Sequence, residues 1–369
     1  MKRAGLTTSF LLATLATTPL LAGAPYTVYD LGLGAASDIN ASGTVVGYTL
    51  QGSLKHAFSY SAGVMTDLGT LAGRDSSGAN ALNGFGTVVG TSFSNDGSVY
   101  PHGFRYSGGT MSDIGTLGGY GYHTYANDIN NAGTIVGESV TYSPVGPVGY
   151  PSHAFRYSGG VMTDLGTMGG SSSVAAAINN SGAIVGWSET SSGTTHAFRY
   201  SGGVWTDLGS LANSTSYAQD INDAGVVVGY GYTGGYYHGF RYSGGVMSDI
   251  GTLGGAYSYA EAINTSGVIV GEADTASQIR HAFMYQNGVM VDLAPYLATV
   301  GLTGTSGASG IDDRGDIVGS GYDATGQQHA FLLAVAVPEP ATSVLLCVGL
   351  CALVALPTRA APSKHATQQ

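Results

Sequence analysis

A tandem repeat whose two ends are out of phase constrains this chain more than any other feature. A block reading approximately A-I-N-x-x-G-x-I-V-G, then H-A-F-R-Y-S-G-G-V-M-T-D-L-G, recurs along it. The H-[AG]-F triplet begins at His56, His102, His153, His196, His238, His281 and His329. The D-[LI]-[GA] triplet begins at Asp30, Asp67, Asp113, Asp164, Asp207, Asp249 and Asp292. The first D-L-G has no H-A-F before it, and the last H-A-F has no D-L-G after it. One unit is split between the chain ends, as a ring that zips shut requires.

Successive H-[AG]-F triplets are 46, 51, 43, 42, 43 and 48 residues apart. Such periods suit propeller blades and some helical solenoids, and local pattern separates the two. Gly133 to Gly137 is a β-branched run bounded by glycines, and His153 to Tyr157 alternates. Ser158-Gly159-Gly160 reads as a hairpin turn before the short run Val161 to Leu165. Apolar residues at helical spacing over ten or more positions are missing from the repeats. Each unit therefore offers four short strands, which is the description of a propeller blade. The expected fold is all-β, a seven-bladed β-propeller over 25–336, followed by a C-terminal membrane or sorting helix. Tyr26 to Gly32 is expected to pair beside Phe331 as the missing fourth strand of the last unit, removing open repeat ends. An open β-solenoid is the alternative.

Composition agrees. Glycine supplies 60 of 369 residues, and charged residues only 9% against a norm of about 25%. With 24 tyrosines, this fits short strands and tight turns better than disorder. Residues 25–336 carry 22 acidic and 8 basic side chains, a formal −14, which disfavours nucleic acid as a partner. Cys347 and Cys351 both lie in the apolar tail, so the repeats hold no disulfide, no cysteine-ligated metal and no cysteine nucleophile.

The flanks read as addresses. Lys2 and Arg3, an apolar stretch from Phe10 to Leu21, and Ala22-Gly23-Ala24 have the three parts of a signal peptide over 1–24. At the other end, 337–369, Val337-Pro338-Glu339-Pro340 precedes an apolar run from Ala341 to Leu356 and then Arg359 and Lys364. Sixteen residues at ~1.5 Å rise reach ~24 Å, short of a ~30 Å hydrocarbon layer unless the flanks snorkel. This end resembles the PEP-CTERM sorting signal, matched at Val337, Pro338, Glu339, Pro340 and the basic Arg359, with its basic residues spread rather than clustered. The resemblance implies processing by a membrane protease of the exosortase type in a Gram-negative bacterium that makes extracellular polysaccharide. It also implies a transient inner-membrane anchor and a final place at the cell surface or in the matrix.

The repeats resemble the HAF-repeat extracellular family over residues 26 to 333. Seven triplets in register with two companion motifs carry that resemblance. It departs at Gly103 and Gly239 in place of alanine, at Asp312 in place of asparagine, and at Ala294 in place of glycine. The family implies an extracytoplasmic location and little about activity.

Repetition weighs against catalysis by the histidines and aspartates, because an active site needs one asymmetric constellation. The seven histidines and seven aspartates above are therefore expected to hold strands and turns together, as the analogous pair does in tryptophan-aspartate repeat propellers. The INxxG asparagines, Asn40, Asn83, Asn130, Asn179, Asn222 and Asn264, are expected to shape turns through Asx hydrogen bonds and positive φ. Arg105, Arg156, Arg199 and Arg241 are expected to pair with acids on neighbouring strands. The acidic loop Asp312 to Asp316 holds too few ligands, and an arginine, for calcium. No catalytic or cofactor motif stands out, so no catalytic, cofactor or metal residue is assigned. Specificity is expected in variable loops, with Tyr120, Tyr122, Tyr125, Tyr232, Tyr236 and Tyr237 as possible ligand contacts. The functional expectation is an exported binding or structural module contacting exopolysaccharide, not an enzyme. A protein-interaction scaffold and a glycan-active enzyme are the alternatives; two unrepeated carboxylates converging in one pocket would favour the enzyme.

Overall fold

The computed structural model describes residues 26–118, 122–141 and 151–336. The signal peptide, the sorting segment and Tyr120 lie outside the described residues. Tyr26–Val335 forms one compact unit of antiparallel sheet, organised as five four-stranded sheets and one of seven strands. The seven-stranded sheet exists because its strand β1 (Tyr26–Ile39) serves two repeats. Its first half pairs with Gln328–Val335, with Tyr26 opposite Val335 and Asp30 opposite Phe331. Its second half pairs with β2 (Val45–Gln51), with Gly34 opposite Thr49 and Ile39 opposite Val45. Gly34, with φ +139°, lies at the changeover, and a Cβ there would strike the Tyr48 carbonyl.

The repeat units are one (34–69), two (76–113), three (124–166), four (169–207), five (216–249), six (254–292) and seven (306–335 with 26–33). The first strand of each unit touches the first strand of the next, and that of unit seven touches β1, so these strands form a closed circuit. In unit three the third strand meets the fourth through a two-residue hairpin, Ser158 opposite Val161. Gly159 and Gly160 have φ of +59° and +83°, the mirror-image turn that matches strand twist and that glycine adopts without a Cβ clash.

Seven apolar clusters fill the spaces between consecutive units. The H-A-F triplet explains how. Successive strand residues face opposite sides, so the phenylalanine enters one interface and the alanine the other. Phe198 of unit four packs in the same cluster as Ala154 of unit three, and Phe240 of unit five with Ala197 of unit four. All seven phenylalanines are at most 1% exposed, each burial stabilising by about 1.5–3 kcal/mol. Where the triplet reads H-G-F, the D-L-G that follows reads D-I-G: Gly103 with Ile114, and Gly239 with Ile250. A Cβ on Gly103 would come within 2.9 Å of Ile114 Cδ1, and one on Gly239 within 3.0 Å of Ile250 Cδ1. The isoleucine fills the room of the absent methyl group.

One short helix interrupts the strands, α1 (Ala294–Leu297), followed by a 3-10 turn. It forms where D-L-G has become Asp292-Leu293-Ala294, with Pro295 opening the turn and Leu293 and Leu297 fully buried. One expectation needs correction: among the described residues no ion pair joins Arg105, Arg156, Arg199 or Arg241 to an acid. The register places a valine on one side and a serine or threonine on the other; Arg156, for example, lies opposite Val136 and Thr163. No described helix is long and apolar enough to cross a membrane.

Candidate functional site at the divergent end of the repeats

Two polar frameworks repeat around the circuit. In every unit His Nδ1 lies 2.6–2.9 Å from the aspartate of D-[LI]-[GA], with His329 reaching Asp30 across the chain ends. An ionised carboxylate only accepts, so Nδ1 carries the proton. The same aspartate accepts the amide two residues on, as Asp113 does from Gly115 at 2.7 Å. Burial opposes ionisation of Asp113, but the bonds from His102 and Gly115 outweigh it and hold its pKa below the ordinary value. Buried serines then tie unit to unit: Ser173 Oγ accepts from Ala154 N at 2.9 Å and donates to the Gly166 carbonyl at 2.5 Å.

The second framework is a ladder at the INxxG turns. Asn40 Nδ2 donates to the Asn83 carbonyl, Asn83 to Asn130, Asn130 to Asn179, Asn179 to Asn222, Asn222 to Asn264 and Asn264 to Asp312, at 3.0–3.2 Å. Each Oδ1 accepts an amide of its own turn, as Asn130 does from Thr134. Positive φ falls on the turn glycines, Gly133 among them, and not on these asparagines. The Asp312 side chain, a carboxylate, has no N–H to donate, so the ladder stops there. In its place Arg314 binds Asp312 at 2.8 Å and Asp316 at 2.7 Å.

Between the two ends of the first strands runs a narrow channel lined by Asp38, Asp128, Asp220 and Glu261. Each aspartate accepts its neighbour's amide and an amide of the next unit: Asp38 from Leu82 at 3.0 Å, Asp128 from Ile178 at 2.7 Å and Asp220 from Ile263 at 2.8 Å. Burial pushes their pKa values up to about 7, 6 and 7 against those bonds. Enough surface remains open to the channel that none of the three is solvent-free. Among the described residues no three His, Cys, Asp or Glu side chains converge to hold a metal ion.

The opposite end is where the units differ. The residue after the I-V-G glycine is Tyr48, Thr91, Glu138, Trp187, Tyr230, Glu272 and Ser320 in units one to seven. The glycine itself is fixed by geometry: a Cβ on Gly137 would strike the Tyr125 carbonyl and approach the Phe155 ring. Its successor meets no such limit. Two of them, Trp187 and Tyr230, join the first-strand residues Tyr217 and Tyr259 in a continuous aromatic run across units four to six. Trp187 meets Tyr217 edge-on at 5.7 Å, Tyr217 stacks on Tyr230 at 5.0 Å, and Tyr230 meets Tyr259 at 4.9 Å.

Two cavities are lined in part by residues after I-V-G. One, of about 330 Å³, lies between units six and seven and is lined by Glu261, Glu272, Arg280, Ser309, Ser320 and Gln328. Arg280 holds Glu272 at 2.9 Å and Asp274 at 3.1 Å and lies 4.9 Å from the centre of the Tyr259 ring. Burial pushes Glu261 up to about 7, opposed by a bond from Gln219. The other cavity, about 510 Å³, is lined by Tyr48, Lys55, Phe93, Val99, Tyr100 and Tyr125. Lys55 Nζ stands 4.2 Å from the Tyr48 ring centre. The Tyr48 hydroxyl donates to Gln328 Oε1 at 2.9 Å, so the two cavities share a wall.

Of the tyrosines singled out in sequence, Tyr125 lines the larger cavity and tilts against His123 at 5.3 Å. Tyr232 and Tyr237 pack edge-on at 5.4 Å, and Tyr237 also touches Tyr230. Tyr236 meets Tyr257 at 5.2 Å and stays 49% exposed. Tyr122 packs beside Gly118. Loop composition missed Tyr48, Trp187, Tyr217, Tyr259, Glu272 and Arg280, because they stand within repeat strands. Aligning the units and reading only the residue after I-V-G would have found three of the six.

No family model matches the chain, and no curated protein matches it. Solved structures do. A puromycin-hydrolysing peptidase of Mycobacterium tuberculosis is 14% identical with a TM-score of 0.52, over 84% of this chain and 54% of that one. The chain thus spans about half the length of that peptidase. YCF48 bound to D1 peptide is 13% identical with a TM-score of 0.50, over 85% of this chain and 97% of that one. TolB from Acinetobacter baumannii is 10% identical with a TM-score of 0.45, over 78% and 79%. The likeness is to β-propellers and establishes the fold alone.

Proposed function

We propose that the chain is a seven-bladed propeller, closed by Tyr26 to Gly32, that is exported and binds exopolysaccharide at the cell surface. Its PEP-CTERM-like end would be handled by an exosortase-type protease after the apolar run has held the chain briefly in the inner membrane. One observation carries the binding reading. Side chains that differ between equivalent repeat positions gather at one end as aromatic rings and polar groups around two adjoining cavities. Amphipathic rings with few charges suit the faces and hydroxyls of sugars. A glycan array probed with the full-length chain tests this: binding to one glycan class, weakened at least tenfold by Tyr236→Ala, is expected. Binding to no glycan, with capture of one defined protein from the matrix, would replace the reading with a protein scaffold.

A second reading has its own observation. Glu261 is the one glutamate at its repeat position, Glu272 shares its position's identity only with Glu138 of unit three, and the two line the same cavity. Paired carboxylates are the machinery of glycoside hydrolysis. Release of reducing ends from a bound glycan, lost in Glu261→Gln, would convert the binding module into an enzyme.

A further inference from the structure

We infer that the glycan taken at the divergent end carries free amines, and that the cavity between units six and seven receives the ammonium. This rests on the glycan-binding reading above and makes it specific. The cavity, about 330 Å³, falls in the ~300–1,000 Å³ range of small-ligand sites. Its polar walls suit a sugar: Thr305, Ser309 and Ser320 offer hydroxyls, and Gln328 an amide.

Charge then selects among sugars. Among the described residues Arg280 is the one cation on the cavity wall, and it is already shared between Glu272 and Asp274. Glu261 is left over. Among the described residues its carboxyl receives one bond, from Gln219 Nε2 to Oε2 at 3.1 Å, and it faces both this cavity and the channel. A buried carboxylate short of partners favours an incoming cation or a proton. Gly307 keeps the approach open, since a Cβ there would come within 2.7 Å of Glu272 Oε2. A uronic acid would add a third carboxylate to this wall, and a neutral hexose would leave Glu261 uncompensated. An amino sugar supplies the missing cation together with the hydroxyls. The −14 charge of the repeats acts at longer range in the same sense.

The test is calorimetric titration of the full-length protein with four oligosaccharides of matched length: β-1,4-glucosamine, its N-acetylated form, cello-oligosaccharide and oligogalacturonate. The glucosamine oligomer is expected to bind at least tenfold tighter than the other three. Glu261→Gln, which keeps size and shape, is expected to remove most of that preference. Ser320→Lys, which brings a cation to the same wall, is expected to do so independently, and thermal melts of both variants verify folding. Equal affinity for the neutral or acetylated oligomer overturns this inference and leaves the glycan reading standing. So does an amine preference that persists in both folded variants, because it then comes from the overall negative charge. Binding of none of the four overturns both.

Discussion

The two ends of the sheets are built on opposite rules. At the INxxG turns six of the seven units make the same contact, each asparagine side chain passing one hydrogen bond to the next unit. At the other end the equivalent position after I-V-G holds tyrosine, threonine, glutamate, tryptophan or serine. The difference is one of constraint. A side chain that must reach the next unit's carbonyl can take few identities, whereas one that faces a cavity can take many. Repetition therefore marks the frame, and divergence inside the repeat marks the surface that has been free to specialise. Both ends hang on the same first strands, so the comparison can be broken at several depths.

The deepest break is the closing strand. Deleting Tyr26 to Gly32 removes the pairing to Gln328–Val335 and the Asp30 partner of His329. It also leaves the third strand of unit seven as a bare edge. Loss of a cooperative melt is expected, with both ends failing together. A truncated chain that melts at the temperature of the intact one would show that the circuit does not need its seam.

A milder break uses pH and acts on the channel between the ends. Asp38, Asp128 and Asp220 sit at about 7, 6 and 7 in the folded chain, against about 4 unfolded. Between these values the folded state keeps protons that the unfolded state has released. Their stabilisation is thus complete below about pH 4 and is lost as pH rises through 6 to 7. Asp67, Asp113 and Asp164 shift the other way, so their contribution is lost only as pH falls below about 4. The melting temperature at pH 5 should exceed that at pH 8 by several degrees. A flat profile over that window would mean that channel water solvates the three carboxylates as well as bulk water does.

How far this molecule could be read from its sequence follows the same division. The offset triplets located the closing strand, and β1 pairs where they placed it, Asp30 beside Phe331. Strand boundaries followed from the glycine-bounded runs. Positions whose partners lie in another unit were less legible. The arginines of H-A-F-R-Y looked ready to pair, but pairing depends on what stands across the sheet, and valine, serine and threonine stand there. The exchange of Gly103 with Ile114 is visible in the letters as H-G-F followed by D-I-G. It reads as noise until the interface shows the two side chains sharing one space. The cavity acids Glu261 and Glu272 sit on first and second strands of unit six, and no spacing rule brings them to one wall. Ladder asparagines carried a local signal for turns and none for the bond to the next unit.

The smallest expected effects give the sharpest contrast, because they compare one residue from each end. Asn130→Ala removes the bond to the Asn179 carbonyl and strands the buried Thr134 amide. The expected cost is about 1–3 kcal/mol of unfolding free energy, with glycan affinity unchanged. Tyr236→Ala removes a half-exposed ring that touches Tyr257. Its expected cost in stability is within about 0.5 kcal/mol, with at least tenfold weaker binding. Denaturant titration and calorimetry on the two variants fill a two-by-two comparison. Stability and affinity falling together in both would mean that the ends are not separable and that divergence inside the repeat is drift. Affinity falling only with the tyrosine, and stability only with the asparagine, assigns the frame to one end and recognition to the other.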